Sequence, residues 1–310
     1  MARSWRTLDG VLLFDKSLGL SSNIAMQKVR RLFQAEKAGH TGTLDPLATG
    51  LLPICFGEAT KFSMGLLDAD KTYRATIRLG QTTTTGDAEG EILETRAVDV
   101  NELQAQAVLA QFVGNIQQIP PMYSALKHQG KPLYDYIREG VTIERQARDV
   151  TIYALTLDKL SGNELEFTVR CSKGTYVRTL GEDIGQKLGC GGHLIALRRI
   201  AIADFSVEQA LDLAQLDVLS ESERDALIMP VDSLLSDLPR LDLDATQAIR
   251  LGRGQKLGMS QSLVVGQYRL YAVGQFIGVG EWLGHGLAPS RLLASLAKQA
   301  AQTDSTEISV

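Results

Sequence analysis

Residues 71–80 read KTYRATIRLG, and their alternation limits the folds open to this chain. Tyr73, Ala75, Ile77 and Leu79 fall on one face; Thr72, Arg74, Thr76 and Arg78 fall on the other. The segment is therefore expected as a half-buried strand. ELEFTVRCS (164–172) alternates in the same way through Leu165, Phe167, Val169 and Cys171. GQTTTTGDAEG (80–90) is a turn cluster, and EILETRAV after it is expected as the return strand. Helical spacing marks three segments: SSNIAMQKVRRLFQAE (21–36), with a Ser/Asn cap signal; NELQAQAVLAQFVG (101–114), capped by Asn101 and closed by Gly114; and TLGEDIGQKLG (179–189), stopping at Gly189. Strands and helices intermix without βαβ repetition. The expected class is α+β, a mixed, largely antiparallel sheet flanked by helices, rather than a doubly wound fold. An acidic helical stretch around 207–236 ends at Leu238-Pro239. Beyond it, SLVVGQYRLYAVGQFIGVGEW (262–282) is glycine-punctuated and β-rich, so a small C-terminal β-barrel-like or sandwich domain is expected there. The divisions are 1–240, 241–300 and a flexible tail at 301–310.

Net charge is -4, which argues against a nucleic-acid partner until its distribution is seen. Residues 201–246 hold eleven acids and two bases, so the rest of the chain sums to +5. Residues 247–299 carry six bases and a single acid, Glu281. Either this is an uneven solvated surface, or an acidic connector joins two surfaces able to approach phosphate. The three cysteines are widely spaced and suit a reducing cytosol. The N-terminal apolar run, Val11 to Phe14, is too short for a signal peptide or a membrane span.

Residues 38–53 read AGHTGTLDPLATGLLP: three glycines, three threonines and two prolines around one acid, Asp45. The stretch has neither helical nor strand period. Pro46 pushes Asp45 toward an extended backbone, and the glycines permit turns or a close chain approach. Alone, an Asp-Pro pair reads as an Asx-turn acid bonding its own loop. Here His40 and Thr41 lie nearby and the loop runs into the apolar GLLPICFG. An acid on a stiff loop at the lip of a core strand is placed like a catalytic group.

GHTGTLDPLATGLLPICFGEATKF closely resembles the central motif of the bacterial tRNA pseudouridine-55 synthases, the TruB type. GVLLFDKSLGLSSN (10–23), DKTYRATIRLG (70–80), QIPPMYSALKHQGKPLYDYIREG (118–140), CSKGTYVRTLGEDIG (171–185) and LGCGGHLIALRR (188–199) resemble the same family in its order and spacing. The resemblance covers about 10–240, with a weaker likeness to an RNA-binding PUA-type domain over about 245–298. It implies the pseudouridine synthase fold and isomerisation of one uridine in the T loop of tRNA, with no metal or other cofactor. The four histidines, His40, His128, His193 and His285, form no ligand motif, in agreement. It further implies a cytoplasmic monomer that acts on tRNA without a protein partner or a membrane.

Residue by residue, the resemblance makes Asp45 the catalytic carboxylate. Attack on the sugar, attack on the base and proton abstraction from the sugar all stay open. Arg178 matches its ion-pair partner; a guanidinium beside the acid favours the charged form. Tyr73 matches the tyrosine that stacks on the target uracil and serves in proton transfer. Tyr176 and Leu197 match pocket-lining positions. His40 matches a residue that fills the RNA stack when the base leaves, recovering part of a stacking cost of a few kcal/mol. Lys16 resembles a lysine that holds the active-site loop. The segment at about 120–148, with Tyr123, Tyr134 and Tyr136 among Lys127, Lys131 and Arg138, matches a mobile insertion that closes over the T loop. The basic C-terminal domain would contact the acceptor stem, mostly through phosphates. One departure is Thr84, where many relatives carry an acid.

Three rival readings remain: an RNA-guided sister enzyme, a non-enzymatic tRNA-binding or folding chaperone, and a two-carboxylate glycosidase with Asp87 or Asp183 as second acid.

Overall fold

The computed structural model describes residues 4–124, 126–260 and 262–294; the tail expected at 301–310 lies outside them. Seven strands carry the main sheet: β1 (Gly10–Lys16), β2 (Ala48–Phe56), β3 (Lys71–Leu79), β4 (Gly114–Gln118), β5 (Arg148–Ser161), β6 (Glu164–Cys171) and β7 (Gly192–Ile202). Their order is β1-β2-β7-β3-β6-β5-β4, with short strands Ala38–His40 on β2 and Phe205–Ser206 on β7. Every neighbouring pair on this path is antiparallel except β2 and β7. The mixed, largely antiparallel sheet expected from the sequence is present.

The alternation read from the sequence sets the faces. Ala75, Ile77 and Leu79 of β3 are buried with Leu165, Phe167 and Val169 of β6, while Arg74 and Arg78 are exposed. Helices α1 (Ser22–Leu32), α2 (Glu102–Ala110) and α3 (Val177–Lys187) cover the apolar side. Ser21 caps α1 by accepting from the Ile24 amide, and Asn101 with Gln104 forms a capping box on α2. The α2 helix stops a turn short of Gly114, which instead opens β4 at φ +108.

Two local expectations are corrected. EILETRAV does not return along β3, whose two edges are already taken by β6 and β7. Gly80, at φ +83, turns the chain away, and Ile92–Thr95 pairs with Gln81–Thr83 as a separate ribbon. The 207–236 stretch is not one helix. It is a chain of short turns, Val207–Gln209, Leu213–Asp217, Glu221–Ala226 and Val231–Leu235, laid along β1. Its acids serve locally: Asp212 and Glu223 complete capping boxes, and Asp225 and Glu221 pair with Arg6.

The C-terminal sheet contains β8 (Arg240–Leu243), β9 (Gly266–Ala272), β10 (Gln275–Trp282) and β11 (Leu287–Leu292) in sequence order. Among the described residues it stays open, so the barrel-like closure expected from the sequence is corrected to an open sheet. Four strands span too little circumference to close on themselves. Helix α4 (Ala245–Gly252) instead packs Ala248 and Leu251 onto Leu270 and Trp282. The sheet docks on the main body: Phe62 meets Phe276 edge-on at 5.6 Å, and Tyr271 donates to Asp232.

The junction of β2 and β7 fixes what the site can be. Across the sheet, Lys16 pairs with Gly50, Gly50 with Arg199, and Arg199 with Tyr73. Partners in a rung share a face, so Lys16, Arg199 and Tyr73 project together. Gly50 sits at φ +101, and a Cβ there would meet the Arg199 carbonyl oxygen and lie 2.8 Å from its amide nitrogen. Gly50→Ala is therefore expected to lower unfolding stability by about 3 kcal/mol or more. Chemical denaturation checks this; a loss below about 1 kcal/mol would show that the rung can relax.

Candidate active site

The 41–47 loop is stiff because both of its ends and its middle are tied. Ser22 Oγ donates to the Leu44 carbonyl at 3.0 Å and accepts from the Leu44 amide at 2.8 Å. Arg199 Nη2 donates to the Gly42 carbonyl at 3.1 Å, and the Gly19 amide donates to the Pro46 carbonyl at 2.9 Å. The Ala48 amide closes a turn on the Asp45 carbonyl at 3.0 Å. Asp45 thus leaves a clamped backbone with its side chain 46% exposed.

Its carboxylate accepts from Arg178 Nη2. Arg178 leaves the first turn of α3 and is itself buried, 7% exposed. Its Nε lies 3.1 Å from Asp87 Oδ2, close enough for ion pairing although the N–H is not aimed along a hydrogen bond. Nη1 donates to the Thr85 carbonyl at 3.4 Å. Asp87 is held in turn by Thr85 Oγ1 at 2.5 Å and the Glu89 amide at 3.1 Å. The threonine-rich turn thus shapes the second acid, and Thr84 Oγ1 accepts from the Glu91 amide at 3.1 Å.

Two cavities meet at Asp45. A small one, about 260 Å³, is lined by Asp45, Tyr73, Tyr176, Arg178, Leu197 and Arg199. A larger one, about 940 Å³, is lined by His40, Asp45, Thr84, Tyr123, Arg138 and Arg178. The first has room for one flat heterocycle and little more; the second opens along the surface. Asp45, Tyr123 and Arg178 border both.

Six of the seven predicted site residues border these spaces. Tyr73 packs between two apolar clusters, and burial raises its pKa, so the phenol is neutral at pH 7. Tyr176 is the residue before α3, its amide donating to Gln118 Oε1 at 3.0 Å and its carbonyl accepting from Gln118 Nε2 at 3.3 Å. Leu197 stands on β7 opposite Ala48 and Ala75. His40 ends its short strand facing the larger cavity; burial first, then the Arg199 charge, lowers its pKa, leaving a neutral ring. Its Nδ1 is buried without a partner among the described residues. Lys16 is the exception. It is fully buried and borders neither cavity, donating to the Leu20 carbonyl at 2.6 Å and the Ser17 carbonyl at 3.1 Å. It holds the 17–20 loop, and does not reach the cavities directly.

In the insertion, Lys127–His128 pairs with Lys131–Pro132, and a helix runs over Leu133–Arg138. Lys131 lies over the Tyr136 ring at 4.8 Å, so this cation–aromatic pair is satisfied internally. The Tyr134 side chain lies outside the described residues. From the insertion, Tyr123, 38% exposed, and Ser124 border both cavities, and Arg138 borders the larger one.

Residues 30–177 match the family described as "TruB family pseudouridylate synthase (N terminal domain)". Residues 178–236 match "tRNA pseudouridylate synthase B C-terminal domain", and 239–293 match "Pseudouridine synthase II TruB, C-terminal". The chain is 56% identical over 290 residues to the tRNA pseudouridine synthase B of Methylobacillus flagellatus, covering 93% of this chain and 96% of that one. It is 55% identical over 302 residues to that of Burkholderia mallei, covering 95% and 99%. The chain belongs to the TruB family of pseudouridylate synthases. Among solved structures, a Cbf5-Nop10-Gar1 complex contains a chain of the same fold, with TM-score 0.69 and 24% identity over 91% of this chain and 84% of that one.

Against this TruB-family frame, the sequence reading missed Arg199, Gln118 and the pairing role of Asp87. Arg199 follows another arginine in sequence, and only the strand register shows which face it takes. Gln118 announces nothing without the distant Tyr176 backbone.

Burial lowers the Lys16 pKa from 10.5 to about 8, against the raising influence of Asp45. The folded value lies below the unfolded one. The burial cost is therefore constant below about pH 8 and relieved as pH rises toward 10.5. Relative to Lys16→Met, the wild-type protein should gain up to about 2 kcal/mol of stability between pH 7 and pH 9.5. Paired denaturant titrations at both pH values test this; an unchanged difference would mean that the amine is solvated.

Proposed function

We propose that the protein isomerises the uridine at position 55, in the T loop of tRNA, to pseudouridine. The observation that carries this is the position of Asp45: a clamped, arginine-paired carboxylate where a base-sized pocket opens into a long surface cavity. A base inside a folded loop reaches such a carboxylate only by leaving its stack. The flipped uracil would enter between Tyr73, Tyr176 and Leu197, with Asp45 beside the glycosidic bond that breaks and re-forms at carbon 5. His40, neutral and planar, would face the vacated stack from the larger cavity.

Residues 1–240 form the catalytic domain, with the 120–148 insertion closing over the T loop, and 241–300 form a PUA-like RNA-binding domain on the acceptor-stem side. The relatives named tRNA pseudouridine synthase B support this substrate class. The reading includes no cofactor, no obligatory protein partner, a monomeric state and a cytoplasmic location.

Incubation with an unmodified tRNA transcript, followed by mapping of pseudouridine, tests substrate and reaction together. A product at position 55 is expected without guide RNA or added protein; a need for either would favour the RNA-guided reading. Asp45→Asn should lower turnover by at least about 10⁴-fold while binding stays within about threefold, because the amide keeps the shape and loses the charge. Retained turnover with weakened binding would overturn the assignment of Asp45, tRNA binding without any product in the wild type would favour the chaperone reading, and release of free uracil would favour a glycosidase.

Binding to tRNA should weaken steeply with salt, because lysines and arginines displace counterions from phosphates. A flat salt dependence between about 50 and 200 mM would remove the backbone-tracking role of the basic surfaces.

A further inference from the structure

Arg199 is the bulkiest fully buried side chain in the described protein, 1% exposed. Among the described residues no carboxylate pairs with it; its pKa is lowered by burial and opposed only by Tyr73. Its Nε donates to the Leu51 carbonyl at 2.8 Å and its Nη2 to the Gly42 carbonyl at 3.1 Å. It stands directly opposite Tyr73 in the rung that pairs their backbones, and both residues border the 260 Å³ cavity. A buried cation without a counter-ion is costly, and such a group persists where its charge is used.

We propose that Arg199 is the positioning residue that lets the Tyr73 oxygen take the proton leaving carbon 5 of the uracil. This rests on the isomerase reading above. The C1′–N1 bond breaks and a C1′–C5 bond forms, leaving C5 with both the sugar and its hydrogen. Tyr73, its own proton having passed to water, accepts that hydrogen as a proton. The C–H electron pair restores the ring double bond, and N1 takes a proton from water. Burial disfavours the Tyr73 phenolate, and the Arg199 charge is the largest influence opposing that penalty. The other groups facing the ring are Cys171 on β6, Asp45 on the loop, and Lys71, Tyr176 and Arg178 around the same cavity.

Single-turnover pseudouridine formation in a tRNA transcript, followed from pH 6 to 9.5, tests the assignment in wild type, Tyr73→Phe, Arg199→Lys and the double variant. Arg199→Lys should bind tRNA within about threefold of wild type and slow turnover about 10²-fold at pH 7. Its rate should recover as pH rises, because the less well-placed charge leaves the phenolate harder to form. In the Tyr73→Phe background the same change should cost no more than about threefold. Equal slowing at every pH, or losses that multiply in the double variant, would reduce Arg199 to a structural tie. Should Arg199→Lys fail to fold by circular dichroism, Arg199→Gln takes its place: a rate that recovers with rising pH supports the proposal, and equal slowing at every pH overturns it. A wild-type protein that makes no pseudouridine overturns the isomerase reading itself, and this inference with it.

Discussion

One guanidinium holds three parts of the chain in place. Arg178 reaches from α3 to Asp87 in the threonine-rich turn and to Asp45 on the glycine-rich loop. The two pairs are unequal. Asp87 is 4% exposed and Asp45 46%. Removing one partner of a buried pair costs about 3–5 kcal/mol, because the other charge is stranded; an exposed pair contributes about 0–1 kcal/mol. Asp87 therefore anchors the arginine, and Asp45 is held loosely enough to exchange some of its attention for a substrate. The threonines that seem redundant in sequence build the anchor.

The second constraint is the parallel junction of β2 and β7. It brings Lys16, Arg199 and Tyr73 onto one row, with Gly50 between the two cations. A side chain at position 50 would collide with the Arg199 backbone, so the close approach of the strands and the shared face are one feature. The ladder of β7 on β3 shifts register after Arg199, before Ala201. Bulges of this kind re-aim side chains beside functional sites. The cations are consequently held by backbone carbonyls: Ser17 and Leu20 for Lys16, Gly42 and Leu51 for Arg199.

Much of this was readable from the chain alone, for definite reasons. Alternation gave the faces of β3 and β6, because one side of each meets the core. Asn101 and Ser21 announced helix starts through capping chemistry. Asp45 stood out because no regular element accommodates its surroundings, and resemblance then supplied Arg178, Tyr73, Tyr176 and Leu197. Arg199 was hidden because a second arginine in a strand looks solvent-facing until its neighbours are known. The acidic 201–246 stretch was left open between an uneven solvated surface and a connector. Several of its acids have local uses that charge counting does not show: they cap short turns or pair with Arg6. The ribbon at Gln81–Thr83 was misassigned because occupancy of the β3 edges is a property of the whole sheet, not of the segment.

The half-exposure of Asp45 follows from what the proposed reaction requires. A carboxylate sealed beside Arg178 would have its charge spent on that partner, with no path for a nucleotide. Left open to water, the same pair is weakly coupled, since the interaction of two charges falls with the local dielectric. A uracil filling the 260 Å³ pocket, which Asp45 and Arg178 both line, would expel that water and cover the pair. Each electrostatic contact in the site then strengthens through the loss of water alone. On this argument the substrate completes the active site, and the protein's share is a set of tied groups waiting at fixed positions around an opening.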